Sequence, residues 1–234
     1  MPSPYILVAN SRATTVDDDL WSKFYSEEHI PDVISCGVAT KGLVYKETFD
    51  YPGAPPTKRE PLNFTVIYQS PHQRPLSTPG AAKIRHDSDV LPRPSLECGE
   101  VDVRQYELIQ EYDPLKTGDD PAPVILWVEI EVGDEEDMDQ WYRKEHLDMV
   151  AKIPGHRRSL RYKAGNKIGG MTQPIKYLGV NDFDTVDGFG GKEFAESAAT
   201  EWAKKVKGDV KAAKMRVFKL ERAVGYGEPR TAKI

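Results

Sequence analysis

The sequence predicts an α+β fold in which one order of elements, β-α-β-β-α-β, occurs twice in tandem. The first observation is a motif at 24–30, FYSEEHI, that returns at 141–147 as WYRKEHL. The second is that strand-like and helix-like segments surround each copy in the same order. The third is a stretch rich in Asp, Gly and Pro between the two copies. These observations predict a first domain at 1–112, a linker at 113–123 and a second domain at 124–234.

The first half contains four predicted strands, at 5–10, 43–49, 63–69 and 101–111. An Asp-rich cap at 17–19 begins the helix that carries His29. We expect this helix to end or bend just after His29, because Pro31 disfavours helical geometry in the residue before it. The segment 50–61 holds four prolines and is a predicted loop, while five more prolines in 70–94 predict a short or irregular second helix.

The second half is more regular. Its first strand alternates Val128, Ile130 and Val132 with two glutamates, which predicts one buried face and one face that is wet or paired. The helix that carries His146 begins after 133–134 and ends at 154–155. Strands at 157–163 and 175–181, a helix at 193–207 and a last strand at 215–223 complete the order.

The composition is that of a globular protein, with 39% hydrophobic and 29% charged residues. A net charge of −5 and a pI near 5.6 argue against nucleic acid or an anionic membrane surface as partners. Cys36 and Cys98 lie far apart in no zinc-ligand spacing, which predicts reduced thiols, with one disulfide between them as the alternative. The sequence has no apolar run long enough to span a membrane and no signal-peptide pattern, so we expect a cytoplasmic protein.

Each motif histidine shares a helix face with a tyrosine four residues earlier, Tyr25 with His29 and Tyr142 with His146. A histidine titrates near neutrality and can act as a general acid or base, which contributes typically 10²–10⁴-fold to a rate. A tyrosine can donate a hydrogen bond to an oxygen on which charge develops. The alternative is structural: a histidine that caps the helix through a backbone carbonyl, and a tyrosine that belongs to the core.

An aromatic-rich first helix that ends in Glu-His and an aliphatic residue resembles the EthD-type dimeric α/β-barrel superfamily. The matching residues are Trp21, Phe24, Tyr25, Glu28, His29 and Pro31, then Trp141, Tyr142, Glu145, His146 and 153–155. The resemblance implies ferredoxin-like βαββαβ repeats whose antiparallel sheets pack into a barrel, within a monomer or in a homodimer. It also implies that His29 and His146 face a cavity as acid/base residues.

We therefore expect a cofactor-independent enzyme acting on a small, largely apolar, oxygenated aromatic or polyketide-like substrate. Proton transfer next to a carbonyl would drive cyclisation, isomerisation, dehydration or decarboxylation. His29 or His146 would move the proton, and Tyr25 or Tyr142 would hold the oxygen. The candidate substrate contacts are Trp21, Phe24, Trp141, Glu28 and Glu145, although a place in the core is the stronger interpretation of the three aromatic residues.

Two other functions stay open at this point: a cofactorless monooxygenase acting on a phenol or anthrone, and a non-catalytic stress-response or ligand-binding barrel. No metal site is predicted, because His72, His86 and His156 lie in predicted loops or at strand edges and supply no third ligand to the pair. The sequence also lacks a haem-ligand signature, a GxGxxG motif and a phosphate-binding loop, so no cofactor is predicted.

Overall fold

The computed structural model describes residues 2–56 and 61–227. Part of the predicted loop 50–61 and the last seven residues of the predicted domain 124–234 lie outside this part of the chain. Within it, eight strands pair antiparallel and close a barrel. They are β1 (Tyr5–Ala13), β2 (Lys41–Glu47), β3 (Phe64–Ser70), β4 (Gly99–Tyr112), β5 (Val124–Val132), β6 (His156–Ala164), β7 (Tyr177–Phe183) and β8 (Val210–Val224).

The barrel combines strands from the two ends of the chain. Its order is β1-β3-β2-β8-β5-β7-β6-β4, and β4 returns to β1. The first four strands thus follow the order β4-β1-β3-β2, and the last four follow β8-β5-β7-β6. Two seams join these groups, because β2 pairs with β8 and β4 pairs with β6. The antiparallel barrel confirms the predicted α+β class.

Apolar side chains from every strand fill the barrel interior. They are Ile6, Val8, Leu43, Tyr45, Ile67, Tyr106, Ile125, Trp127, Leu160, Tyr162, Leu178, Val180 and Phe218. Glu129, predicted to lie on a wet or paired face, is 3% exposed and accepts a hydrogen bond from Arg104 at 2.5 Å. The prediction for β5 is confirmed in its paired alternative, since closure of the barrel brings Arg104 to the face that carries Glu129.

One end of the interior holds a buried ion pair. Arg158 donates to Asp182 through Nε at 2.9 Å and Nη2 at 2.5 Å, and both side chains are less than 8% exposed. The connection between β4 and β5 lies against this end, where the Tyr45 hydroxyl donates to the carbonyl oxygen of Ala122 at 3.0 Å. The pair therefore sits under a covering segment, away from water.

A helix that contains a π turn packs outside each group of strands. In the first, α1 (Asp18–Phe24) continues through a π turn at Tyr25–His29 into α2 (Ile30–Ser35). The expectation that the helix ends after His29 was therefore wrong, because the helix continues to Ser35. The Ile30 N–H donates to the carbonyl of Tyr25 five residues back, and Pro31, which has no N–H to donate, follows directly after Ile30.

The remaining helices are short. The 70–98 segment holds only two 3₁₀ turns and α3 (Ser95–Cys98), as its prolines predict. In the second half, α4 (Glu135–Trp141), a π turn at Tyr142–His146 and α5 (Leu147–Val150) repeat the first arrangement without a proline. The π turn therefore does not depend on Pro31.

The single helix predicted at 193–207 was wrong. The chain forms α6 (Lys192–Ser197) and α7 (Glu201–Gly208) instead. The Thr200 side chain accepts a hydrogen bond from the Ala203 N–H and so begins α7 as an N-cap. Cys36 and Cys98 are free. Within 2–56 and 61–227, no helix has the length and apolar character needed to cross a membrane.

Gly42 allows α2 to approach β2 closely. A Cβ atom at Gly42 would lie 2.4 Å from Cγ2 of Ile30. We predict that Gly42→Val lowers the free energy of unfolding by about 1–3 kcal/mol through overpacking. Urea unfolding followed by circular dichroism measures this change. Gly170→Val is the control, since nothing lies within 4 Å of a Cβ there; equal effects of the two changes would contradict the packing argument.

Candidate active site

The two motif histidines lie in matching layers between a helix and the outer face of the barrel. His29 stacks on Phe24 with 5.4 Å between ring centroids and meets Tyr25 edge-on at 5.7 Å. His146 stacks on Trp141 at 4.0 Å and meets Tyr142 edge-on at 5.1 Å. The spacing of four residues thus brings each tyrosine against its histidine in both halves.

His29 is surrounded by aromatic rings and has no hydrogen-bond partner among the described residues. Burial lowers the pKa of His29 to about 4, and the charge of nearby His86 lowers it further. The ring is therefore neutral at pH 7. The Tyr68 hydroxyl, whose ring lies 6.2 Å from that of His29, is buried and also lacks a partner within the described residues.

The other predicted residues of the first half hold the structure together. Trp21 is fully buried and donates from Nε1 to Ser11 Oγ at 3.2 Å. Tyr25 is buried, and burial raises its pKa to about 12. Glu28 accepts hydrogen bonds from the Ser88 hydroxyl and the Asp89 N–H, which tie the 84–91 segment to the helix. These contacts are those of a core and a loop anchor.

One ring nitrogen of His146 forms a hydrogen bond within the described residues, and the other forms none. Its Nδ1 lies 3.1 Å from the carbonyl oxygen of Ser197 at the end of α6. Because a carbonyl only accepts, Nδ1 carries the proton in the neutral ring, and Nε2 keeps a lone pair. Burial lowers the pKa of His146 to about 4; the Ser197 bond opposes this shift, and the charge of Arg161 adds to it. The ring is a neutral hydrogen-bond acceptor at pH 7.

Glu145 supports this histidine indirectly. Its carboxylate accepts from Nε1 of Trp141 at 3.2 Å and from the Thr200 hydroxyl. It therefore links the ring stacked on His146 to the cap of α7. The predicted substrate contacts Trp141 and Glu145 thus contact the histidine or its neighbour, and their binding to substrate stays a prediction.

Sequence reasoning missed Arg161, which faces the helix from β6. Its guanidinium lies 3.9 Å from the centre of the Tyr142 ring, and Nη1 donates to Asp139 at 2.9 Å and to Gln110. The side chain is 4% exposed, and Nη2 is buried without a partner among the described residues. Burial raises the pKa of Tyr142, so its hydroxyl stays protonated.

A buried chain of hydrogen bonds next to this site was also missed. His156 Nε2 lies 2.9 Å from Ser159 Oγ, which donates to Asn181 Oδ1 at 2.7 Å. The Asn181 amide donates in turn to the carbonyl of Leu126. His156 is the first residue of β6, at the end of the strand as predicted, and it is 6% exposed. Polar residues at every second position of 157–163 were the available signal for this face.

The layer around His146, between its helix and β6–β7, is called the second layer. Strand registers show that the strand residues in it are more polar than those at the aligned positions around His29. Val8 pairs with Ile67 in the first half, and Trp127 pairs with Val180 in the second. All four side chains point into the barrel, so we superpose one pair on the other to align the two sheets. The aligned positions of Gly42, Val44, Val66 and Tyr68 are then Ser159, Arg161, Gly179 and Asn181. Both halves have a histidine and a tyrosine in this layer, and the second half adds Ser159, Arg161 and Asn181 from its strands.

Five well-formed cavities of the described chain lie elsewhere, lined by residues other than the motif histidines and tyrosines. The largest, about 660 Å³, lies between 47–56 and 213–217. None of these five cavities contains His146, whose ring packs between Trp141, Tyr142 and the end of α6. Across 2–56 and 61–227, no three His, Cys, Asp or Glu side chains group as metal ligands would.

No protein-family model and no curated protein sequence matches the chain. Solved structures do resemble it. An anthrone oxidase-like protein is similar over 99% of this chain and 98% of its own, with a TM-score of 0.56 and 13% identity. A candidate chlorite dismutase gives a TM-score of 0.54 at 10% identity, covering 93% and 94% of the two chains.

A candidate monooxygenase from Fusobacterium nucleatum subsp. nucleatum gives a TM-score of 0.51 at 11% identity, over 96% of this chain and 95% of that one. Identities this low show the fold and nothing of the activity. Each similarity extends over nearly the whole chain, so it covers the complete barrel with its outer helices. The chain has the ferredoxin-like fold of the dimeric α/β-barrel proteins.

Proposed function

We propose that the protein is a cofactor-independent enzyme that removes a proton next to a carbonyl, or from a phenol, of a small oxygenated ring or polyketide-like substrate. The observation that carries the proposal is the state of His146. Its Nδ1 is held by the Ser197 carbonyl, and its Nε2 is a neutral acceptor beside Tyr142. Within this proposal the chain is an EthD-type tandem repeat, with domains at 1–112 and 124–234 joined by 113–123.

The proposed step uses the two residues in complementary roles. Nε2 of His146 takes the proton as the C–H or O–H bond breaks, and the electron pair moves onto the substrate oxygen. The Tyr142 hydroxyl, kept protonated by its raised pKa, donates a hydrogen bond to that oxygen. The new imidazolium and the oxyanion then stabilise each other, which offsets the low pKa of the free base.

We assign the chemistry to His146 rather than His29 because only His146 has a fixed tautomer. His29 has no hydrogen bond among the described residues that orients its ring, and the strand side chain against it is Tyr68. In this proposal His29, Tyr25, Trp21, Phe24 and Glu28 stabilise the first half. A substrate enters the second layer by displacing side chains that close it in the free protein.

The second candidate function is cofactorless oxygenation of a phenol or anthrone, and the similarity to an anthrone oxidase-like protein favours it. The same proton removal would yield a carbanion or phenolate, which then reacts with molecular oxygen. Oxygen uptake separates the two functions, because cyclisation, isomerisation, dehydration and decarboxylation consume none. Since one chain closes the barrel, a monomer suffices in either case; a homodimer is the alternative, and light scattering distinguishes them.

Turnover of an anthrone and of a linear triketone, with oxygen uptake recorded, tests the proposal. We predict that His146→Gln lowers kcat by 10²–10⁴-fold, the usual contribution of a general base, whereas His29→Gln changes it less than threefold. The rate of the unmodified protein should fall as pH decreases through about 4, because Nε2 becomes protonated there. This acid limb should disappear from the residual rate of His146→Gln.

Each variant is compared with the unmodified protein by circular dichroism, and each rate at low pH is checked by return to pH 7. Equal rates for His146→Gln and the unmodified protein would contradict the proposed base. A protein that binds these compounds without turnover would instead be the non-catalytic barrel, with structural histidines.

A further inference from the structure

We propose that Arg161 is the anion-binding group of the second layer, and that the ligand recognised there is a small ring compound bearing a carboxylate or another anionic oxygen. This inference rests on the proposed function in placing the ligand next to His146. It adds that the ligand carries a negative charge, which proton removal by a histidine does not itself imply.

The first argument is the unused donor on Arg161. Nη1 is occupied by Asp139 and Gln110, while Nη2 has no partner within the described chain and is buried. A buried donor without a partner loses its hydrogen bonds to water and gains none in return, and this cost is larger for a charged group. An oxygen supplied by a ligand would remove that cost. Unsatisfied buried donors of this kind are rare and call for a specific cause.

The second argument is local charge. Asp139 is the only carboxylate that the described residues place in an ion pair with Arg161, and it also binds the exposed Arg143 at 2.7 Å. One carboxylate thus serves two guanidinium groups, and Asp139 only partly balances the positive charge of Arg161. That charge acts on His146 and Tyr142, which are the groups facing it from the helix. A negative ligand oxygen is the complementary charge.

The third argument is that the fold does not need an arginine here. Val44 occupies the aligned position in the first half, and its cross-strand partner is Val66. Arg161 faces Gly179, where an added Cβ would meet nothing closer than 3.7 Å. The second layer therefore replaces two valines by a guanidinium and a glycine. This exchange places a charge beside a strand position that has no side chain.

Benzoate and benzamide test the inference, because they share one shape and differ in charge. We expect the unmodified protein to bind benzoate at least tenfold more tightly than benzamide in calorimetric or NMR titrations at pH 7. Arg161→Met should reduce this preference to within twofold. Arg143→Met removes the other guanidinium at Asp139 and is the matched control, in which the preference should persist.

Arg161→Lys provides a second variant if Arg161→Met does not fold. It keeps a positive charge but lacks the planar guanidinium, so its preference for benzoate over benzamide should be smaller than that of the unmodified protein. No benzoate preference in the unmodified protein, or an undiminished one in Arg161→Met or Arg161→Lys, would overturn the inference. The binding measurement is independent of turnover. A benzoate preference that depends on Arg161, together with full activity of His146→Gln, would leave this inference standing and remove the proposed base.

Discussion

Lowering the pH from 6.5 to 4.5 is expected to lower the free energy of unfolding by several kcal/mol. His29, His146 and His156 are buried, and burial lowers the pKa of each to about 4. The unfolded chain binds these three protons near pH 6.5, whereas the folded chain binds them only near pH 4. Each histidine therefore contributes a slope of up to about 1.4 kcal/mol per pH unit, with stability rising as pH rises.

The raised pKa of Asp182 acts in the opposite direction, because the folded protein then takes up a proton more readily than the unfolded chain. One carboxyl group opposes three histidines, so the net loss on acidification remains. Urea unfolding at pH 7.0, 6.0, 5.0 and 4.5 measures it. The triple variant His29→Gln, His146→Gln, His156→Gln should show a much flatter dependence; an unchanged slope in that variant would assign the acid sensitivity to other groups.

Asp182→Ala is expected to lower the free energy of unfolding by about 3–5 kcal/mol, the usual cost of leaving one member of a buried ion pair without its partner. The Arg158 guanidinium would remain inside the barrel end with no carboxylate in direct contact, and its Nη1 already lacks a partner within the described chain. Guanidinium chloride unfolding at pH 7 measures the change. The effect should also appear as a lower midpoint of thermal unfolding.

Asp184→Ala is the matched control, two residues along the same chain segment. Asp184 lies 3.6 Å from Arg157 and is 62% exposed, so its removal should cost less than about 1 kcal/mol. Replacing both members of the buried pair by leucine should restore most of the stability lost in Asp182→Ala. Similar losses for Asp182→Ala and Asp184→Ala would show that Arg158 is solvated well enough to do without its partner.

Local patterns in the sequence predicted the elements that short segments determine. The repeated motif and its Asp caps indicated both motif helices, and the spacing of four residues indicated each tyrosine–histidine contact. The break before α7 was missed, because Thr200 caps a new helix only when the chain around Ser197 turns toward His146. Helical periodicity alone continues through this point and cannot show the break.

The remaining differences come from contacts between distant segments. Glu129 alternates with valines as a half-exposed strand would, and only closure of the barrel brings Arg104 to it. Arg161 reaches Tyr142 through the register between β6, β7 and the overlying helix. Such registers are properties of the assembled sheet, so the polar character of the second layer could be recognised only after the strands were aligned.

The two seams of the barrel can form only after the second half of the chain has been synthesised, because each seam pairs a strand of the first half with one of the second. When β1–β4 have left the ribosome, the outer strands of this group, β2 and β4, have unpaired edges until β8 and β6 are synthesised. Unpaired edges can join those of another nascent copy, and pairings between distant segments form slowly. Two chains could exchange halves through the same seams, since each seam uses one strand from either half. Rapid overexpression should therefore yield aggregates and exchanged dimers, and slower synthesis at low temperature should favour the monomeric barrel.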